Sequence, residues 1–213
     1  MISQDQTKRH SNIDAVLILS GIVAPVFHLV GIIISSSLTP GYSHISQAIS
    51  VLGSRGAPFN EILNYLGVIP AGILTILFSF AIFRKLKGGK SLFICGCLVT
   101  IAGIGRLCVG VFPCDPGCLP IISITGRLHA LTGFTSMFAG SIAPLFMAIG
   151  LRRRNFKALF YLSIVLGLAS LFLFMLFFSQ FFFPFFGAIQ RLLLTLTYVW
   201  TIAVAVKMKY SGK

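Results

Sequence analysis

The chain has 213 residues, 56% of them hydrophobic and only 10% charged, with 17 Lys and Arg against 4 Asp and Glu and a formal net charge of +13. A soluble domain of this size carries about a quarter of its residues charged. This composition, with a mean hydropathy of +0.96, therefore excludes an ordinary water-soluble fold. The positive excess must be tested as a topology signal before it is read as nucleic-acid affinity, and no nucleic-acid partner is expected.

A helix needs about 20 predominantly apolar residues to cross a hydrocarbon core of roughly 30 Å with its backbone groups paired internally. Six stretches reach that length, at 13–36, 62–83, 91–112, 128–150, 158–178 and 187–206. The expected fold is all-α, a polytopic six-transmembrane-helix bundle over 13–206. Lys8 and Arg9 precede the first span, and Arg84, Lys85, Lys87 and Lys90 join the second to the third. Arg152, Arg153, Arg154 and Lys157 join the fourth to the fifth, and Lys207, Lys209 and Lys213 follow the sixth. These are 13 of the 17 basic residues, all on one side, which the positive-inside rule assigns to the cytoplasm of an inner-membrane protein. Both termini, 1–12 and 207–213, are then cytoplasmic, with external loops near 37–61, 113–127 and 179–186. A cleaved signal peptide is the competing reading of the first span, since Lys8, Arg9 and His10 form a basic n-region. Its apolar stretch is longer than an h-region, which favours a retained helix.

In the first external loop, Ile45, Ala48, Ile49 and Leu52 recur at helical spacing between Ser43, a capping residue, and Gly53, a terminating one. The pattern predicts a short amphipathic helix on the outer interface, with His44, Gln47 and Ser50 on its polar face. The second loop, Phe112-Pro113-Cys114-Asp115-Pro116-Gly117-Cys118, places two cysteines four apart around a Pro-Gly turn. On an oxidising side this reads first as a Cys114–Cys118 disulfide, and second as part of a metal site completed by His44 or His129. Gly21 to Gly31 and Gly140 to Gly150 share Gly, Ala, Pro, Phe and Gly at equal spacing, the mark of an inverted repeat if more than chance. Thr132, Ser136 and Gly140, like Ser163 and Gly167, make small-residue stripes suited to helix packing. The Phe-rich run 177–186 carries no charge and reads as an interfacial cover of the bundle, or as a ligand lid.

The segments Tyr42 to Gly53, Gly56-Ala57-Pro58, Phe112 to Cys118 and Gly126-Arg127-Leu128-His129 resemble the motifs of the membrane family known as domain of unknown function 998. The resemblance covers nearly the whole chain and implies a six-span bundle without a known activity. The family pattern usually carries an acidic residue where this chain has Val51, so chemistry resting on that carboxylate is not expected.

Arg55, Arg106, Arg127 and Arg191 are the basic residues left on the external side, against Glu61 and Asp115. Ionisable groups at membrane depth are functional hypotheses by default. Arg106, Arg127, His129, Arg191, His44, Asp115 and Gln190 are the candidate ligand-binding residues, and Arg forks suit a phosphate or carboxylate. The expected partner is a membrane lipid with an anionic headgroup, or a small anionic solute, with transport through the spans that Pro25, Pro70 and Pro144 can kink as an extension. A structural alternative lets Arg127 and Arg191 reach the interface while Arg106 pairs with Asp115. An enzymatic alternative gathers His28, His44, His129 and Asp115 around a metal for lipid hydrolysis. No metal-ligand spacing, nucleophile elbow or P-loop is present, so the sequence assigns no catalytic residue, cofactor or oligomeric state.

Overall fold

The computed structural model describes residues 4–86, 89–152, 154–179 and 181–210, with side chains from Ser11 onward. Lys87, Arg153 and Lys213 lie outside the described residues, as do the side chains of Lys8 and Arg9. No strand occurs among the described residues. Six helices are long and apolar enough to cross a membrane: Ser11–Ser37, Ile62–Lys85, Lys90–Val111, Ile124–Leu151, Lys157–Ser179 and Phe183–Tyr210. They belong to α1 (Gln4–Ser37), a π-helical segment (Ile62–Val68) continuing as α3 (Ile69–Lys85), α4 (Lys90–Val111), α5 (Ile124–Leu151), α6 (Lys157–Ser179) and α7 (Phe186–Tyr210). A four-residue helix, α2 (Ile49–Leu52), lies between the first two spans.

Large apolar side chains face outward along the spans; Ile33, Phe93, Leu131, Val165 and Phe172 are all more than half exposed. Such a perimeter is stable only against lipid. Inside, helices approach through small residues. A Cβ on Gly31 would stand 2.8 Å from the Gly67 Cα, and one on Gly72 would stand 2.6 Å from the Leu107 amide nitrogen. Ser136 Oγ donates to the Ala102 carbonyl at 2.7 Å, and Trp200 Nε1 donates to Ser163 Oγ at 3.0 Å. These contacts join α4 to α5 and α6 to α7 where lipid offers no hydrophobic drive for association. The two candidate repeat segments use their glycines differently. Gly21 packs on the Phe78 ring, whereas Gly140 has no neighbour closer than 3.9 Å to a built Cβ.

The main core fills the half of the bundle nearer the basic connections, where Ile18, Phe78, Ile82, Leu92, Met147, Trp200 and Val204 interlock. Asp14 on α1 pairs there with Arg84 and Lys85 at 2.6 and 2.7 Å. A smaller cluster of Ile32, Ile49, Leu52, Leu63 and Val68 closes one side of the opposite, loop-bearing end. The remainder of that end is hollow.

The helix expected from residue 45 onward forms only over Ile49–Leu52, and it is tucked into the bundle. Ala48, Ile49 and Leu52 are buried. The physical reason is competition for backbone groups. Arg191 binds the His44 and Gln47 carbonyls at 2.8 and 3.1 Å, and Gln190 Oε1 takes the Ile49 amide at 2.6 Å. Ser43 caps a turn, accepting from the Ser46 amide at 3.2 Å.

Candidate functional site

The hollow at the loop end is a cavity of about 460 Å³. Three helices supply its walls along continuous faces: His129, Gly133, Met137 and Gly140 from α5; Phe186, Gln190, Leu194 and Thr197 from α7; Arg106 and Val109 from α4. Asn64 and Val68 of the π segment, His28 of α1 and the 46–51 stretch complete it, while Phe177, Phe178 and Phe183 form an aromatic rim. The run expected to cover the bundle therefore contributes part of the wall, with a 3-10 turn over Phe183–Phe185 turning it back into α7.

Arg106 is the sole charged side chain among the described lining residues. Its Cα lies five residues before the end of α4, about 8 Å along the axis, and the side chain points deeper. Nη1 donates to Thr75 Oγ1 at 3.1 Å, and the guanidinium stands 5.3 Å from the Tyr198 ring centroid. Tyr198 in turn bonds His28 Nδ1 through its hydroxyl, and both residues are buried. No carboxylate among the described residues faces Arg106. Asp14 serves the basic end, Glu61 is exposed, and Asp115 pairs with Arg55.

The expected Arg106–Asp115 clamp is thus replaced by Arg55–Asp115, whose partners meet across 60 residues of chain. Asp115 Oδ2 also accepts from the Ile122 and Ser123 amides at 2.8 and 3.0 Å. Ser123 and the Ile122 amide, together with Arg55, hold its carboxyl well below the usual carboxylate range. Its role is to organise the 112–123 loop and the start of α5, where Ser123 caps the helix by accepting from Gly126 at 3.0 Å.

Of the predicted ligand residues, the cavity gathers Arg106, His129 and Gln190, and adds His28. Gln190 Oε1 is committed to Ile49, while its amide nitrogen makes no hydrogen bond to a described residue. Arg191 lies outside. It donates to the carbonyls of His44, Gln47 and Gly187 and, at 2.6 Å, to the Tyr42 hydroxyl, so its fork is spent on fastening the first loop to α7. Burial raises the Tyr42 phenol above its ordinary pKa, with Arg191 opposing the shift. His44 is exposed against the Tyr42 ring, and Arg127 is exposed with no bond to a described residue.

The four-residue metal set does not assemble. Among the described residues the group close enough to hold an ion is Cys114, Cys118 and His129, and there the two sulfurs are bonded to each other. Cys95, Cys97 and Cys108 are free thiols on α4. Residues that sequence reasoning passed over are Thr75, Tyr198 and Asn64. A stripe of every fourth residue from Gln190, through Leu194 to Tyr198, was the available signal for the tyrosine.

The fold and the cavity define a multi-pass helical membrane protein with a cation, Arg106, inside its loop end that no carboxylate among the described residues pairs. The chain belongs to the family described as protein of unknown function (DUF998), whose model matches residues 22–207. No curated protein and no solved structure matches it.

Proposed function

We propose that the protein binds an anionic amphiphile, a lipid or an apolar solute with a carboxylate or phosphate, in this cavity. The observation that carries the reading is Arg106, the one charged group among the described residues lining a cavity of about 460 Å³, with no described carboxylate against it. An unpaired guanidinium at membrane depth costs several kcal/mol unless a counter-charge or water joins it. An anionic headgroup fits that need, with the Gln190 amide as a second donor. The apolar chain would lie along Met137, Phe134, Leu194 and Phe178, which suits a lipid better than a bare ion. The basic end faces the cytoplasm in this reading, so the cavity opens toward the outer leaflet. The filled core beneath Arg106 favours binding over passage through the bundle.

The test is native mass spectrometry of protein purified in a neutral detergent and offered a phosphatidylglycerol or a long-chain fatty acid. The wild type should retain one anionic molecule and Arg106→Gln should lose it, with retention of a zwitterionic lipid equally weak in both. Equal retention of the anionic probe by Arg106→Gln would sink the reading.

A further inference from the structure

The 112–123 loop holds a group of atoms that anion binding does not use. Cys114 and Cys118 are joined as a disulfide, and a ring nitrogen of His129 comes within 4.8 Å of both sulfurs. The two cysteines differ in access. Cys114 is 3% exposed, whereas Cys118 is half-buried and lines the cavity beside Gly117 and His129. Cys118 also has φ +65°, a left-handed conformation that a side chain other than glycine adopts only when its surroundings impose it.

One carbonyl is in place for a thiol proton that a disulfide does not have, and a second fixes the tautomer of His129. Cys114 Sγ lies 3.4 Å from the Ser50 carbonyl oxygen, which accepts from a thiol but has nothing to accept from a disulfide sulfur. His129 Nδ1 lies 2.9 Å from the Phe112 carbonyl oxygen, which can only accept. Nδ1 therefore carries the ring proton, on which the Val109 carbonyl also draws, and a neutral imidazole keeps its lone pair on Nε2. The loop also has supports besides its sulfur bridge. Arg55 N donates to the Cys114 carbonyl at 2.9 Å, Cys118 N donates to the Asp115 carbonyl at 2.7 Å, and Asp115 holds Arg55 and two amides. A purely structural staple needs neither an accessible sulfur on a cavity wall nor a base beside it.

We propose that Cys114–Cys118 is an exchangeable redox pair that oxidises a dithiol reaching the mouth of the cavity. His129 takes the proton from the first substrate thiol. The resulting thiolate attacks Cys118 Sγ, forming a substrate–Cys118 bond and breaking the bond to Cys114, which leaves as thiolate. The Cys114 thiolate takes the proton from His129, and the thiol so formed donates a hydrogen bond to the Ser50 carbonyl, which leaves His129 neutral to take the second substrate proton and pass it to Cys118. The second substrate thiol then loses its proton and attacks the substrate sulfur of the mixed disulfide. The substrate leaves as a disulfide, and Cys118 is released and protonated. Two electrons and two protons pass from the substrate to the pair, and the reverse reaction with an oxidised disulfide restores it. The substrate class is a small molecule or an extended peptide bearing two thiols. This inference stands apart from the anion reading, since Arg106 has no part in it.

The experiment uses full-length protein in neutral detergent, exposed to dithiothreitol or to a short reduced dithiol peptide, quenched in acid, alkylated and weighed. The folded wild type should open its disulfide within minutes with at least one of the two probes, which tells the small-molecule source from the peptide. His129→Gln, which can still donate to Phe112 but cannot take a proton, should slow opening on the order of 10²-fold. Cys114→Ser treated with oxidised glutathione should carry one glutathione on Cys118. A disulfide that stays closed in the folded protein, under conditions that open it once the chain is unfolded, would overturn the proposal. An unchanged rate in His129→Gln would do the same.

Discussion

The Arg106 guanidinium lies over the Tyr198 ring, 5.3 Å from its centroid, and the Tyr198 hydroxyl is bonded to His28. A cation from α4, an aromatic face from α7 and an imidazole from α1 are thereby held together in the bundle interior. The ring's negative face offsets about 2 kcal/mol of the desolvation cost, less than a carboxylate would, so the guanidinium keeps its need for a counter-charge.

Tyr198→Phe keeps that face and removes only the hydroxyl, leaving His28 buried without its partner. A cost of about 1–3 kcal/mol is expected, read as a lower melting temperature in detergent. Adding His28→Leu should restore most of the loss, because both polar partners are then gone. A double variant as unstable as the single one would show that the bond is not the source.

Arg191→Ala should release the His44 and Gln47 carbonyls and the Tyr42 hydroxyl together. Amide hydrogen exchange over residues 43–49 should rise at least tenfold while the main core is unaffected, since several charge-assisted bonds worth about 1.5–3 kcal/mol each are lost. Arg191→Lys should recover little, because a single ammonium cannot reproduce the fork. Protection unchanged in Arg191→Ala would show that the loop is held by other means.

Asp115 binds its partners as a carboxylate, and its folded pKa lies below the usual range. The stability it contributes is fully present above the ordinary aspartate pKa of about 4 and is lost as pH falls through the lower folded value. The 112–123 loop should therefore resist limited proteolysis at pH 4 as well as at pH 7, with an acid-stable protease used at the lower pH. Asp115→Asn should be cleaved readily at both. Loss of wild-type protection already at pH 5 would contradict the assignment.

Gly31→Ala forces a methyl against the Gly67 backbone, 2.8 Å from its Cα, where no flexible side chain can yield. The π segment must move away from α1, at about 1–3 kcal/mol. Gly140→Ala meets nothing closer than 3.9 Å and should melt within about a degree of wild type. Equal losses in the two variants would refute the packing contrast.

The six crossings were legible because each rests on one property, an apolar run long enough for the bilayer, and the observed ends fall within a few residues of the expected ones. The 45–52 segment was not. Its periodicity was correct for Ala48, Ile49 and Leu52, which are buried, but Arg191 and Gln190, more than 140 residues away, claim the backbone groups a longer helix would use. Charge partners were hidden for the same reason. Arg55 and Arg106 are equivalent on paper as mates for Asp115, and only the path of the loop selects Arg55. The sequence likewise marked Arg106 as unusual for its depth, but not Tyr198 as its companion.

The depth of Arg106 has an electrical consequence. Its ring partner sits 12 residues into α7, about 18 Å from that helix start, close to the middle of a hydrocarbon layer of roughly 30 Å. A monovalent anion that reaches the guanidinium from the loop end crosses about half of any transmembrane potential. At 100 mV that amounts to about 1 kcal/mol, roughly fivefold in affinity. Occupancy of the cavity would then rise and fall with membrane energisation, without any helix having to move.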